Sequence, residues 1–385
     1  MSKLEELIQE LCPDGVEYKK LGELFNTKNG YTPSKSNPEF WENGTVPWFR
    51  MEDIRENGRI LSKATQYVSR KAIKGEPFPE NSIIVATSAT IGEHALITVP
   101  SLANQRFTYL MLKDQYKDMF DVKFLYYYCF RLDSYCKECL NQGNFASVDM
   151  KKFTKFKFPV VPLPVQREIV RILDNFTELT VELTAELTAR KKQYKYYSEY
   201  LLKNVSKNSV NMQLCDIYDF KYGKGNNIPK EGGAYPVYGG NGIVGYHNEY
   251  NSEDAPVIGH IGAYAGLVQW AKGKHFVTYN GVICRHKNKD VNKKFAYYLL
   301  LSQDFLSSQK GAQPFVSYDA LKKPFVKIPP LAEQERIVSI LDRFDTLCND
   351  LTSGLPAEIE ARQKQYEYYR DKLLTFQPLE KGGAQ

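Results

Sequence analysis

Several stretches of this 385-residue chain hold the letters of catalytic sites, and each lacks a neighbour that its chemistry needs. A phosphate-binding loop requires Gly-Lys followed by Ser or Thr, whose hydroxyl reaches the metal; here Gly223-Lys224 is followed by Gly and Gly273-Lys274 by His. A nucleotide-hydrolysing motor is therefore disfavoured. PDGVEYK, from Pro13 to Lys19, contains the letters of a PD…ExK nuclease, but its carboxylates fall within one turn and could not flank a metal from two adjacent strands. An amino-methyltransferase would carry an Asn-Pro-Pro-aromatic or Asp-Pro-Pro-Tyr tetrad, whereas SNPEFW at Ser36 offers only Asn37 and Pro38 and reads as a turn. TSATIGEHA from Thr87 and GHIGAYAG from Gly259 resemble cofactor cradles, yet neither opens a helix in a βαβ unit, so both read as tight turns. His94, His247, His260, His275 and His286 are never four apart, which removes a metalloprotease face. The single C-x-x-C, Cys136 to Cys139, has no second pair or nearby His to complete a zinc set and reads as part of a helix. No catalytic or metal-binding residue is assigned; the sequence points to binding.

The elements that would position a binding surface must be divided among two or three domains, because single cores stop growing near ~250 residues. Hydrophobic content of 43% with 25% charged residues is ordinary globular composition. No apolar run approaches the ~18 residues that span a bilayer, so no membrane is expected. The opening MSKLEELIQELCPDG places Glu inside its apolar stretch and reads as a short amphipathic helix, not a signal peptide; a cytoplasmic location is expected. Seven cysteines spread along the chain argue for reduced thiols over a disulfide framework. The net charge of +6 is compatible with nucleic acid without demanding it, and the 27 tyrosines suit interfaces of any kind.

The organisation is a repeat. ARKKQYKYYSEYLL from Ala189 returns as ARQKQYEYYRDKLL from Ala361, and PLPVQREIVRILDNF from Pro162 returns as PLAEQERIVSILDRF from Pro330. The distal copy carries four extra residues between the two blocks. Ile169, Ile172, Leu173, Phe176, Leu179, Leu183 and Leu187 recur at spacings of three and four, which predicts one helix from Gln166 to Asn204 whose apolar stripe needs a partner; the second copy has the same pattern. Residues 15–161 and 208–328 are richer in Gly, Asn and short β-branched runs such as SIIVAT and APVIGH, and read as mixed α/β or mainly β globules. Both open alike, KLGELFNTKNG from Lys20 and QLCDIYDFKYG from Gln213. Each also has a glycine-bearing segment followed by an Asn-bearing strand, at Asn104 and at Asn280. Residues 1–12 look like the end of a helical copy and are expected beside the end of the last helix.

With P-L-x-x-Q-x-x-I-V-x-I-L-D-x-F and A-R-x-K-Q-Y-x-Y-Y each written twice after a variable globule, the chain resembles the specificity subunit of a type I restriction-modification system over essentially its whole length. The resemblance implies an α+β fold with two mixed α/β target recognition globules joined by two long antiparallel helices in a pseudo-twofold, pseudo-circular arrangement. The expected parts are residues 1–161 (N-terminal helix and first recognition domain), 162–207 (first spacer helix), 208–328 (second recognition domain), 329–378 (second spacer helix) and a 379–385 tail. Such a subunit is not an enzyme. It reads a split, asymmetric site on double-stranded DNA and assembles with two modification subunits and with restriction (motor-nuclease) subunits. The resemblance further implies that no cofactor is bound by this chain and that S-adenosylmethionine, ATP and Mg belong to the partner subunits. The rival readings are a coiled-coil scaffold whose globules bind proteins and an orphan methyltransferase of unusual sequence.

DNA contacts are expected from polar side chains on turns: Lys28, Tyr31, Lys35, Arg50, Ser88, Thr90 and Arg106 in the first globule, and Lys224, Asn226, Asn227, Tyr238, Asn241, His260 and Tyr264 in the second. The tyrosine blocks at 194–197 and 366–369 fit helix packing or partner contact better than base stacking. In the branch of the family this chain resembles, the number of LTAE-like units sets the gap between half-sites, and LTVELTAELTAR holds such units at Leu179, Leu183 and Leu187. The distal copy reads LTSGLPAEIEAR, where Gly354 and Pro356 should break the helix. Inserting one further LTAE after Leu187 adds ~6 Å of rise and ~40° beyond a full turn. One base pair adds ~3.4 Å and roughly 34° to 36°. The rotation matches, and bending absorbs the excess rise. Methylated adenines mapped before and after the insertion should show a spacer one base pair longer with both half-sites kept; an unchanged spacer with retained activity would reduce the leucine stripe to core packing.

Overall fold

The computed structural model describes residues 2–141, 146–226, 228–305 and 314–379. It divides into two compact units, Met1–Val181 with Ala361–Gln385, and Glu182–Glu360. In chain order the first unit contains α1 (Lys3–Leu11), β1 (Glu17–Lys20), α2 (Leu21–Leu24), β2 (Phe25–Asn29), β3 (Val46–Phe49), α3 (Met51–Asn57), β4 (Ile60–Leu61), β5 (Tyr67–Val68), β6 (Ser82–Ala86), β7 (His94–Ile97), β8 (Leu102–Ala103), β9 (Phe107–Leu112), α4 (Val122–Glu138), α5 (Met150–Phe153) and β10 (Lys157–Val160). Helix α6 (Leu163–Lys203) begins there and ends in the second unit. The second unit continues with β11 (Val210–Gln213), α7 (Leu214–Ile217), β12 (Tyr218–Tyr222), β13 (Tyr235–Tyr238), β14 (Ile243–His247), β15 (Ser252–Gly259), β16 (Val268–Val277), β17 (Gly281–His286), α8 (Lys293–Leu301), α9 (Tyr318–Lys322), β18 (Phe325–Ile328) and α10 (Leu331–Asn349). Helix α11 (Leu355–Leu373) begins in the second unit and ends in the first.

The units repeat one another element by element. Strand β1 pairs antiparallel with β10 and β11 with β18 in the same register, Glu17 opposite Val160 and Val210 opposite Ile328. A one-turn helix then leads into a strand, α2 into β2 and α7 into β12, which realises the matched openings at Lys20 and Gln213. The main sheets run β2-β9-β6-β7-β4 and β12-β17-β15-β16-β13-β14. Strands β3 and β13 occupy the same place, each running parallel to the strand that precedes a tight turn, β8 and β16. In the first sheet, β6 is buried along its whole length, and Ile83, Ile84, Val85 and Ala86 join the two hydrophobic clusters on its opposite faces.

The repeated helical motif explains itself through its glutamine. Gln166 is fully buried; its amide donates to Val161 O (2.5 Å) and Met119 O (2.8 Å), and its Oε1 accepts from Asp121 N (2.8 Å). Gln334 does the same, donating to Pro329 O (2.8 Å) and Asp290 O (3.2 Å) and accepting from Asn292 N (2.7 Å). Asp121 and Asn292 are the N-caps of α4 and α8, so one side chain ties the start of a spacer helix to the start of the globule's own helix. The aspartate of I-L-D-x-F repeats the pattern about two turns on: Tyr127 donates to Asp174 (2.7 Å) and Tyr298 to Asp342. Burial first, and then those carboxylates, push both phenols far above their usual range, so they remain donors.

Each block of one repeat copy packs against the other block of the other copy. In the first unit Phe176 lies 5.7 Å from the Tyr369 ring and 6.5 Å from Tyr366; in the second, Phe344 lies 5.8 Å from Tyr197 and 6.1 Å from Tyr194. The tyrosine blocks are thus helix packing on one side, while Tyr196 and Tyr368, at equivalent positions, stay exposed. The apolar stripe of α6 is deepest at Ile169 and Leu173, both fully buried, and opens at Leu179, which is 36% exposed. The N-terminus closes the first unit as expected: Leu4 joins the core with Leu374, Val16 N donates to Gln377 O and Leu379 N to Val16 O. The distal spacer is interrupted where Gly354 and Pro356 stand. Asp350 accepts from Thr352 and Ser353 in a turn, and α11 restarts at Leu355.

One sequence expectation is corrected. Asn104 and Asn280 lie in turns, not strands, because each offers its position to a four-residue reversal closed by Phe107 N to Asn104 O (3.2 Å) and by Gly281 N to Thr278 O (2.9 Å). Replacing Gln166 or Gln334 by Leu keeps the volume but strands buried backbone groups, each costing about 1 to 3 kcal/mol. With three such groups per glutamine, each variant should lose at least roughly 3 kcal/mol in denaturant titration; a loss within error of zero would show that the motif's glutamine is not a structural tie.

Candidate functional site

The two sheets present the same backbone frame at one end. Gly30 N donates to Phe107 O and Gly223 N to Gly281 O; Tyr31 N donates to Ala103 O and Lys224 N to Val277 O. Asn104 N donates to Phe49 O and Thr278 N to Tyr238 O. Thr87 N donates to Arg106 O and His260 N to Asn280 O, and the same residues accept from Val148 N and Val316 N. These bonds equate Gly30 with Gly223, Arg106 with Asn280 and Thr87 with His260. Both glycines are required by close approach: a Cβ on Gly30 would lie 2.3 Å from Ala103 O, and one on Gly223 2.1 Å from Thr278 O.

In the first unit the frame gathers Tyr31, Arg50, Ser88, Thr90 and Arg106. Tyr31 is half-buried; its hydroxyl donates to Ala72 O (3.3 Å) and accepts from Lys74 N (2.7 Å), so it holds the loop and has little left to offer a ligand. Arg50 is the N-cap of α3, lies 5.6 Å over the Trp48 ring and donates from Nη2 to Thr65 Oγ1 (3.0 Å). Ser88 forms a backbone bridge with Ser147, and Thr90 Oγ1 is buried without a hydrogen-bond partner. Arg106 is exposed and has no side-chain partner among the described residues, while its backbone is fixed by Asn104 Oδ1 (3.0 Å). Lys35 stands exposed in the bend beyond Tyr31. Lys28 is further back on β2, with its ammonium 5.6 Å from the Phe78 ring.

In the second unit the frame gathers Lys224, Asn226, Tyr238, Asn241, His260 and Tyr264; Asn227 lies outside the described residues. Lys224, Asn226 and Asn241 are exposed, and Tyr264 is half exposed. Tyr238 is half-buried, and burial raises its phenol. His260 is buried, its ring 4.2 Å from Tyr222 and 5.3 Å from Tyr279, so it supports the turn and does not project from it. Gly240 brings the loop after β13 against Tyr264 and Ile261, which joins Asn241 to the cluster.

Sequence reasoning missed Gln105, Tyr279 and Asn280, which occupy the same turn as Arg106 in the two copies and are all exposed. The signal that could have found them is the equivalence of ANQRF with VTYNG, which short-range spacing hides and the hydrogen bonds reveal. Among the described residues no three His, Cys, Asp or Glu side chains gather as a metal site, and no helix is long and apolar enough to cross a membrane.

The sequence model of the family described as type I restriction modification DNA specificity domain matches residues 13–192 and 206–361, one copy over each repeat. The chain belongs to this family of type I specificity subunits. It is 46% identical over 374 residues to the type I restriction enzyme EcoprrI specificity subunit of Escherichia coli, covering 91% of this chain and 93% of that one. Among solved structures, a chain from work on complex assembly and conformational transition of the type I R-M system matches at TM-score 0.64 and 16% identity, covering 94% of this chain and 98% of that one. The S subunit from M. genitalium matches at TM-score 0.55 and 18% identity, covering 93% and 95%. At these identities the structural likeness shows the fold.

Proposed function

We propose that this chain is the DNA-recognition subunit of a type I restriction-modification complex, each globule reading one half of a split, asymmetric site. The observation that carries the reading is the duplicated frame: two globules, different in their exposed side chains, hold the same turns with the same backbone bonds. A protein that must read two different short sequences needs a fixed register and variable base-facing groups, and that is the division this frame supplies. Family membership supports the same reading and does not favour a protein-binding scaffold.

The spacer helices join the two readers and offer the docking surface for two adenine-methylating modification subunits and for the motor-nuclease subunits. S-adenosylmethionine, ATP and Mg act in those partners, and this chain performs no chemistry itself. Footprinting of the complex with modification subunits should protect two short segments separated by an unprotected gap. A scaffold would protect none. The chain alone should turn over neither S-adenosylmethionine nor ATP, and measurable turnover of either would contradict the non-catalytic role.

A further inference from the structure

Within that frame one element has a bonded backbone and accessible side chains. The turn Asn104–Phe107 is closed by its own i to i+3 bond, and its flanks are bonded to Phe49, Tyr31 and Thr87. The turn Thr278–Gly281 is closed in the same way and bonded to Tyr238, Lys224 and His260, with Tyr279 N donating to Gly225 O as well. The backbone of each turn is therefore preorganised. Its central side chains remain accessible: Gln105 and Arg106 in one copy and Asn280 in the other are exposed, and Tyr279 is 45% exposed with its ring 5.3 Å from His260 and 5.9 Å from Tyr222. The Arg106 guanidinium and the Asn280 amide have no hydrogen-bonding partner among the described residues. Among the described residues, Gln105 is held by the Thr32 hydroxyl, which donates to its Oε1 (2.6 Å).

We infer that this central turn is the base-reading element of each globule, with Gln105 and Arg106 selecting bases in one half-site and Tyr279 and Asn280 in the other. The inference rests on the DNA-recognition reading above and goes beyond it by naming the side chains. Their types fit the chemistry. Arg presents two parallel donors to guanine O6 and N7, Gln and Asn pair an acceptor and a donor with adenine N6 and N7, and Tyr adds a flat ring with a hydroxyl. The frame carries identical bonds in both copies while the pair at its tip is wholly different, which is the arrangement two unlike half-sites require. Tyr31 and His260, which the sequence also nominated, are anchors of the frame: their polar or aromatic surfaces are already engaged inside the domain.

The test is the adenine methylome of cells carrying the chain with its modification subunits, for the wild type and for Arg106→Ala, Arg106→Lys, Asn280→Ala and Tyr279→Ala. The side chains are exposed, so the substitutions should leave the fold intact. Arg106→Ala should relax selection at one base pair of one half-site by about 5- to 100-fold, leaving the other half unchanged, and Asn280→Ala or Tyr279→Ala should do the same in the other half. Arg106→Lys separates base reading from a phosphate contact. It should also relax the base if Arg106 reads it; if Arg106→Lys keeps the wild-type motif while Arg106→Ala lowers methylation at every site, Arg106 is a phosphate clamp and the inference fails. Unchanged motifs in all four variants overturn it too. Absence of any bipartite motif in the wild type would instead overturn the DNA-recognition reading itself.

Discussion

A long amphipathic helix cannot keep its apolar stripe in water, and everything in this chain depends on how that stripe is covered. The cover comes from the other copy of the repeat. Phe176, from the first block of copy one, stacks on Tyr369 from the second block of copy two; Phe344 and Tyr197 complete the reciprocal pair. The first unit is therefore made from two separate stretches, residues 1–181 and 361–385, while the second, residues 182–360, takes in the latter half of α6. The return of Val16 to Gln377 and Leu379 closes the first unit where the second is closed by direct continuity from α6 into β11. The duplication is thus a folding requirement as well as a way of carrying two globules.

The globules attach to that helical base through few side chains used twice. Gln166 and Gln334 bridge the spacer helix to the capped start of α4 or α8, and Asp174 and Asp342 accept from a tyrosine about two turns further along each. Buried polar groups of this kind are costly when half satisfied and specific when complete, so they fix the orientation of a globule on its helix more sharply than leucines could. The sheet end then inherits that orientation. At its tip the backbone is spent on the frame, and the side chains are left for whatever approaches.

Much of this was legible in the sequence because it is written in long, duplicated patterns. The helical stripe, the break at Gly354 and Pro356, the matched openings at Lys20 and Gln213 and the closure by the N-terminus all follow from period and repetition. The candidate site was legible only as a neighbourhood. Arg106, Lys224, Asn226, Asn241 and Tyr264 stand on the shared frame with free faces, whereas Tyr31 and His260 turned inward, and Lys28 lies behind it on β2. Local composition marks a turn but not which of its side chains is consumed by the fold. Gln105, Tyr279 and Asn280 were missed for the complementary reason: their equivalence lies in backbone bonds between residues distant in sequence, and ANQRF and VTYNG share no letter in register.

The central claim is that two independent readers sit on one helical base, and an exchange of readers tests it most directly. Residues 15–161 would be replaced by the corresponding globule of another specificity subunit, keeping both spacer helices, and the methylated adenine motif would be mapped in cells with the modification subunits present. The account predicts a motif in which one half-site is new and the other half-site is retained. A chimera that is active yet alters both halves, or neither, would contradict it.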